Sequence, residues 1–174
     1  MTDCKICNII NKKAQGKVIY EDAAVMAIMS DEPTIFGHLL VFPKNHHATL
    51  EEVDDKVVAQ MFYVASYAAT AIFEGLGAEG TNIIISNGKD SSQRYSHIVL
   101  DVLPRKTNDG LDFKWEPKKL TPEDMDGAME KIKDKADEMD YQGEDKPKVS
   151  GEKKTAPSSL DEDNYIVRHL RRIP

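Results

Sequence analysis

The chain has 174 residues, a formal net charge of −7 and 40% hydrophobic residues. This length fits one medium-sized domain with an extension, and the negative charge argues against a general electrostatic affinity for nucleic acid. The sequence has no run of about 18 apolar residues, which a transmembrane helix requires, and its start, MTDCKICNII, lacks the basic flank of a signal peptide. We therefore expect a cytoplasmic protein whose partners include neither a membrane nor a nucleic acid.

The first part of the chain predicts one short helix followed by three short strands. Asp3 is a typical N-cap residue for a helix over residues 4–13. The strands are short apolar runs at residues 17–21, 24–29 and 38–43. Pro43 ends the third strand, because proline has no N–H to donate to a neighbouring strand.

The strongest helix signal follows residue 49. Residues 49–52, Thr-Leu-Glu-Glu, fit a capping box. Apolar residues then recur at helical spacing, at Val58, Met61, Phe62, Ala65, Ala69, Ile72 and Phe73. Gly75 or Gly77 ends the helix. We predict one long amphipathic helix between these signals.

Two further strands, at residues 81–86 and 97–103, complete the predicted sheet and are joined by the loop NGKDSS. Side chains alternate along a strand. One face of the last strand carries His97, Val99, Asp101 and Leu103, and the other carries Ile98, Leu100 and Val102. The second face predicts core, whereas the first has polar groups around a valine. Short strands around one long helix favour an α+β fold with a mostly antiparallel sheet.

The character of the sequence changes after residue 105. Residues 107–119 are irregular, with Phe113 and Trp115 as expected anchors. Thr121 and Pro122 are typical of a helix start. We predict a main domain over residues 1–116, a C-terminal helix over 117–139, a flexible polar linker over 140–159 and a terminal amphipathic helix over 160–174.

Cys4 and Cys7 are the only cysteines and form a C-x-x-C motif. A structural disulfide is disfavoured in a reducing compartment, which leaves redox chemistry or metal binding. A thioredoxin-type motif follows a strand in a βαβ unit, whereas this motif lies beside the N-terminus. Zinc takes four N or S ligands, so two cysteines form half a site. The other ligands would come from the five histidines, His38, His46, His47, His97 and His169.

Four stretches together resemble the histidine triad (HIT) family of nucleotide hydrolases and transferases. They are CKIC at 4–7, AIMSDEPTIFGHLLVFPKNHH at 27–47, SNGKDSSQ at 86–93 and SHIVLDVLPR at 96–105. Within the second, GHLLVFPKNH matches the specific pattern G-H-x-L-V-x-P-K-x-H of this family. The resemblance covers about residues 4–116 and implies a five-stranded antiparallel sheet with helices packed on it. It also implies a homodimer in which the sheets of two subunits join.

HIT proteins with an N-terminal C-x-x-C bind zinc through both cysteines, the histidine of P-K-x-H and the first histidine of the triad. In this chain those positions are Cys4, Cys7, His46 and His97, and all four carry the required residue type. The resemblance therefore implies one structural zinc ion per chain, since four protein ligands leave no open position for water.

The nucleophile of the family is absent from this chain. In the family the middle histidine of the triad attacks the α-phosphorus and forms a nucleotidyl-enzyme intermediate. Val99 occupies that position here and has no lone pair, and Asp101 replaces the third histidine. The resemblance thus implies a degenerate triad, His-x-Val-x-Asp. Asp101 and Gln93, the glutamine that the motif retains, are the catalytic candidates.

Several positions that hold the nucleotide in the family also carry other residue types. The acidic residue that binds the ribose hydroxyls aligns with Ser30, and the asparagine at the start of the loop aligns with Ser86. Arg94 replaces a serine or threonine, whereas Gly88 and Gln93 are kept. These five residues are the candidate ligand-binding set. Arg94 favours a phosphate ligand, because a guanidinium pairs with phosphate through a planar fork.

Three functions are open from the sequence. The first is a zinc protein that binds a nucleotide or another phosphate ligand without nucleotidyl-histidine chemistry. The second is an active hydrolase or transferase in which Asp101 acts as base or nucleophile, assisted by His47 or Tyr95. The third is an interaction scaffold, in which the predicted helix at 160–174 binds a protein partner or the second subunit.

Overall fold

The computed structural model describes residues 4–136 of the chain. The elements are α1 (Lys5–Ile10), β1 (Val18–Glu21), β2 (Val25–Met29), β3 (Leu39–Pro43), α2 (Asp55–Leu76), β4 (Gly80–Ile85), β5 (Leu100–Arg105) and α3 (Pro122–Ala136). Single 3₁₀ turns occupy Leu50–Glu52 and Lys89–Ser91.

The five strands form one antiparallel sheet in the order β1-β2-β3-β5-β4. The last strand in sequence, β5, is therefore inserted between β3 and β4. Asp101 of β5 lies opposite Leu40 of β3 on one side and Ile84 of β4 on the other. This arrangement confirms the predicted α+β fold, with its five-stranded antiparallel sheet, one long helix and a short N-terminal helix.

The two faces of the sheet are buried by different helices. On one face α2 packs into a cluster that includes Met61, Ala65, Ile98, Leu100 and Val102. On the other face α1 packs into a cluster that includes Ile6, Ile9, Ile28, Phe42 and Val99. The alternation predicted around the last strand is thus correct, and Val99 is buried on the side of α1.

The long helix begins later than its capping-box signal predicted. Thr49 makes no side-chain capping bond, and Glu52 Oε2 instead accepts from the Ala48 N–H at 2.7 Å, which closes a separate 3₁₀ turn. Asp54 is the N-cap of α2, because its side chain accepts from the Lys56 N–H. The helix ends at Gly77, which has a φ of 61°, as predicted. With a mean hydropathy of 1.2, α2 is apolar and long enough to cross a membrane, a test that core helices also pass.

The last strand also begins later than predicted, at Leu100 instead of residue 97. The ladder between β3 and β5 ends at the pair Val41–Leu100. Beyond it Pro43 has no N–H to offer, and the Ile98 N–H donates to the His47 carbonyl at 2.8 Å. His97 and Val99 therefore precede the strand.

The N-terminal helix is shorter than predicted, and Cys4 is its N-cap. The expected cap, Asp3, lies outside the described residues.

The described residues belong to two units, which divide after Leu120. In the first, Phe113 lies against the Arg105 guanidinium, 5.1 Å from the ring centroid, whereas Trp115 is 83% exposed and anchors nothing in the part that is described. In the second, Thr121 Oγ1 accepts from the Asp124 N–H and begins α3 as predicted. The predicted linker at 140–159 and the helix at 160–174 lie outside the described residues.

Candidate metal centre and phosphate site

The start of α1 brings the two cysteines of the C-x-x-C motif together. Cys4 is the N-cap residue, and its Sγ accepts from the Cys7 N–H at 3.5 Å. This capping contact turns both thiols toward the same side of the helix start. Cys4 is fully buried, whereas Cys7 lies partly exposed at the rim.

Two histidines complete the group, as the sequence predicted. His46 follows β3, and its Nδ1 lies 3.2 Å from Cys7 Sγ. His97 precedes β5, and its Nδ1 lies 3.8 Å from Cys4 Sγ and 3.7 Å from Cys7 Sγ. All four ligand atoms lie within 4.8 Å of one another. In a tetrahedral zinc site the S···N separation is about 3.6 Å, given Zn–S and Zn–N bonds of about 2.3 and 2.05 Å.

The protonation of the buried His97 ring suits a metal ligand. Its Nε2–H donates to the Pro43 carbonyl at 2.9 Å, which leaves the Nδ1 lone pair directed at the thiols. Burial lowers the pKa of His97 to about 4, so the ring is neutral at physiological pH. Burial and the neighbouring Cys4 raise the pKa of the Cys7 thiol to about 11. A thiolate at Cys7 therefore needs a cation beside it, and these donors fit zinc.

The second group of polar residues is centred on Asp101. Asp101 Oδ1 lies 2.8 Å from His38 Nε2 and 2.7 Å from Arg94 Nη2. The Thr34 N–H donates to His38 Nδ1 at 3.2 Å, so that nitrogen carries the lone pair and Nε2 carries the proton. One carboxylate oxygen of Asp101 thus accepts from two donors.

The position of His38 depends on the glycine before it. Gly37 has a φ of 86°, and a Cβ at this residue would clash with the Leu76 side chain. His38 is itself buried, with 1% of its surface exposed. The sequence offered His38 only as one of five possible zinc ligands and did not reveal its carboxylate partner, which is 63 positions away.

The recess around Val99 is almost filled by side chains. It measures about 20 Å³ and is lined by Val99 and Asp101 together with Ser86, Gln93 and Arg94. A space of this size holds about one water molecule, so a phosphate group enters only if a side chain moves. Arg94 is the mobile candidate, since its side chain is 40% exposed.

Gln93 lies in this recess, but its amide is used by the surrounding loop. Oε1 accepts from the Gly88 N–H at 2.8 Å, and Nε2 donates to the carbonyls of Ala48 and Tyr95 at 2.7 and 2.9 Å. Gly88 has a φ of 90°, which a glycine adopts readily. In this arrangement Gln93 and Gly88 stabilise the conformation of the loop.

Ser30 lies in a separate, larger cleft. This cleft has a volume of about 860 Å³, with apolar walls that include Ile9 and Phe36. Ser30 is 8% exposed, and its hydroxyl has no hydrogen-bond partner among the described residues. The structure therefore groups Ser86, Gln93 and Arg94 around Val99 and Asp101, and places Ser30 in the neighbouring cleft.

The buried Nε2–H of His38 leads to a prediction about the stability of Asp101 variants. We expect Asp101→Leu to destabilise the fold by about 1–3 kcal/mol, because the His38 Nε2–H then has no acceptor. Asp101→Asn keeps an oxygen at that place and should cost clearly less. Urea unfolding of both variants measures the difference, and equal losses would show that the His38–Asp101 bond contributes nothing.

Comparison with known proteins identifies the family of this chain. The HIT domain matches residues 11–108. An uncharacterised HIT-like protein of Methanocaldococcus jannaschii is 32% identical over 130 residues, which are 75% of this chain and 98% of the relative. The adenosine 5′-monophosphoramidase of Schizosaccharomyces pombe is 28% identical over 76% of this chain and 97% of its own length.

One of the similar solved structures is of a zinc-bound protein. The crystal structure of a zinc-bound histidine triad family protein from Mycobacterium smegmatis is 38% identical, with a TM-score of 0.61, and the match covers 67% of this chain and 84% of that one. The HIT domain match spans more than half of the sequence and includes all five strands. This protein therefore belongs to the HIT domain family.

Proposed function

We propose that this HIT protein holds one structural zinc ion and binds a nucleotide or another phosphate-bearing ligand without forming a nucleotidyl-histidine intermediate. The observation that carries this proposal is the residue at the nucleophile position. Val99 is 5% exposed and packs with the cluster around α1. Its isopropyl side chain has no lone pair, so it cannot attack phosphorus.

The zinc ligands of this proposal are Cys4, Cys7, His46 and His97. When bound, the ion would tie α1 to the segment that leads into β5, and four protein ligands leave it no open position. Its proposed role is structural. The zinc-bound relative from M. smegmatis supports the choice of metal.

Arg94 is the proposed contact for the anionic group of the ligand. Only its Nη2 has a hydrogen-bond partner among the described residues, so its other N–H groups are available to a phosphate. On its outer side Arg94 lines a recess of about 200 Å³ together with Thr34, His38 and Phe113. This recess offers more space for a phosphate group than the nearly filled recess around Val99.

The alternative is an active enzyme that uses Asp101, and the phosphoramidase activity named for the S. pombe relative favours it. The geometry around Asp101 argues against it. Oδ1 already accepts from His38 and Arg94. Asp101 also lies two residues beyond the nucleophile position, roughly 6–7 Å along the chain. We therefore propose binding without turnover as the first function.

Titration calorimetry with adenosine monophosphate tests the binding proposal. We expect Arg94→Gln to weaken binding about tenfold or more, since it removes a charge-assisted hydrogen bond. Lys12→Gln, which removes a positive charge from the larger cleft, is the matched control and should change the affinity much less. Equal affinities of the wild type and Arg94→Gln would exclude Arg94 as the phosphate contact.

We also propose a homodimer, and two features of the described residues support it. The exposed side of α2 carries Phe62, Tyr63 and Tyr67, which are 44%, 63% and 62% exposed. The tyrosine rings lie 4.7 Å apart and form a continuous aromatic patch. β4 is an edge strand, so its outer backbone groups are open to pairing. Sedimentation equilibrium of the wild type beside Tyr63→Glu tests this proposal.

A further inference from the structure

The helix α3 exposes a regular apolar stripe. Met125, Met129 and Ile132 are 55%, 59% and 69% exposed. With Ala136 they follow a spacing of four, three and four residues, which is the a/d spacing of a coiled coil. Large apolar side chains at this spacing predict a partner helix, because they stabilise a helix only when another surface buries them.

The charged residues of α3 all lie off this stripe. Taking Met129 and Ala136 as a positions and Met125 and Ile132 as d positions, Asp126 and Lys133 fall at the flanking e positions. The remaining acids and Lys131 fall on the outer face, at Glu123, Asp124, Glu130 and Asp134. This separation of apolar and charged positions is the pattern of a helix that pairs along one seam.

Both ends of α3 are stabilised by local interactions. The Asp124 N–H donates to Thr121 Oγ1 at 3.2 Å, and the Thr121 hydroxyl donates to Asp124 Oδ2 at 2.8 Å. The first turn is acidic and the last turn basic, which stabilises the helix dipole. The helix therefore begins with a satisfied cap, whereas its apolar stripe stays exposed in the part of the chain that the structure describes.

The charge distribution along α3 decides the direction of pairing. Residues 122–128 carry three acids, Glu123, Asp124 and Asp126, and no base, whereas residues 129–136 carry three lysines and two acids, a net charge of +1. A parallel pair would place like halves side by side. An antiparallel pair places the acidic half of one helix beside the basic half of the other, with Met129 against Ile132 of the second copy. It also brings Asp126 next to Lys133 of the second copy, twice by symmetry.

We propose that α3 pairs antiparallel with α3 of a second copy of this chain. Two heptads bury less surface than the roughly 1,000 Å² of a stable interface. The pairing is therefore a second contact between copies that are held close together, where the effective concentration is high. It involves no residue of the metal centre or of the Asp101 group, so it is independent of the proposed ligand.

A zero-length carbodiimide crosslink on the full chain tests the pairing directly. We would mix ¹⁴N- and ¹⁵N-labelled protein, crosslink, digest and search for a link between Asp126 and Lys133. The two residues are seven positions apart, about 10 Å along one helix, a distance that the two side chains together can span, so a mixed-isotope peptide is what identifies a link between two chains. We expect the link in mixed-isotope peptides. Its absence, or links from α3 only to peptides of the same isotope, would overturn the proposal.

Charge exchange gives a second test with a built-in rescue. Asp126→Lys and Lys133→Asp each turn both attractive pairs into repulsive ones, so each should weaken self-association about tenfold. The double variant restores opposite charges and should recover the wild-type dissociation constant in sedimentation equilibrium. Asp134→Lys makes the same substitution on the outer face and serves as the control. Failure of the double variant to recover, or equal weakening by the control, would contradict antiparallel pairing.

Discussion

Loss of the metal is expected to lower the melting temperature of this protein by about 10 °C or more. The physical reason is the burial of the donor set: Cys4 and His97 are each 1% exposed, and the contact between α1 and the start of β5 passes through them. Binding of a structural zinc ion stabilises the folded state alone, commonly by several kcal/mol. At roughly 3–4 °C per kcal/mol for a domain of this size, a loss of about 3 kcal/mol gives that shift.

Calorimetry with and without a chelator measures this effect, and metal analysis of the purified protein gives the stoichiometry. Cys4→Ser should lose both the metal and the stability. His47→Ala is the matched control, because His47 adjoins His46 but contributes only its backbone carbonyl, to Ile98. A metal content well below one ion per chain, with both cysteines reduced, would contradict the four-ligand site. So would an equal loss of zinc in the control.

Restoring an imidazole at position 99 is expected to create turnover where the wild type has none. We predict that Val99→His hydrolyses adenosine 5′-monophosphoramidate at least about 100-fold faster than the wild type, because the variant regains a covalent route. The substitution adds volume to a recess of about 20 Å³, so we also expect a cost of about 1–3 kcal/mol in stability. A colorimetric ammonia assay and the intact mass of an adenylated enzyme are the measurements.

Val99→Leu separates the chemical effect from the effect of volume. Leucine also overfills the recess but supplies no lone pair, so this variant should be destabilised and remain inactive. Turnover by the wild type itself would contradict the proposed function, and Asp101 would then be the next residue to replace. Inactivity of both the wild type and Val99→His, combined with adenosine monophosphate binding, would place the ligand away from the family's nucleophile position.

The candidate metal centre could be predicted from the sequence because the types of its residues already indicate metal binding. Two cysteines three positions apart on a helix start share one side of it, and thiols and imidazoles are the ligands that zinc selects. The residue types predicted a site of two cysteines completed by histidines, and the resemblance to the HIT family selected His46 and His97 from the five histidines. The structure adds three S···N distances of 3.2, 3.7 and 3.8 Å, which are near those of a tetrahedral zinc site. It also adds the Pro43 carbonyl that orients the His97 ring.

Element boundaries were predicted less well, because long-range bonds decide them. The capping box at residues 49–52 is a valid local signal, yet the Leu50 N–H donates to the Asn87 side chain at 2.9 Å and Val53 adopts an extended conformation. These contacts divide the predicted helix into a turn and α2. In the same way the Ile98 N–H leaves the sheet ladder for the His47 carbonyl and delays β5.

The sequence by itself determined the fold class, since that follows from periodicity. Its resemblance to the HIT family supplied the four proposed metal ligands and placed Val99 at the position of the family's nucleophile. Only the tertiary structure decided what the polar residues around Val99 do. The strand register places Asp101 against His38, Arg94 closes over it, and the loop takes up the Gln93 amide. A hydrogen-bonding group has a limited number of donors and acceptors, and a sequence does not show which partners the fold brings within 3 Å of them.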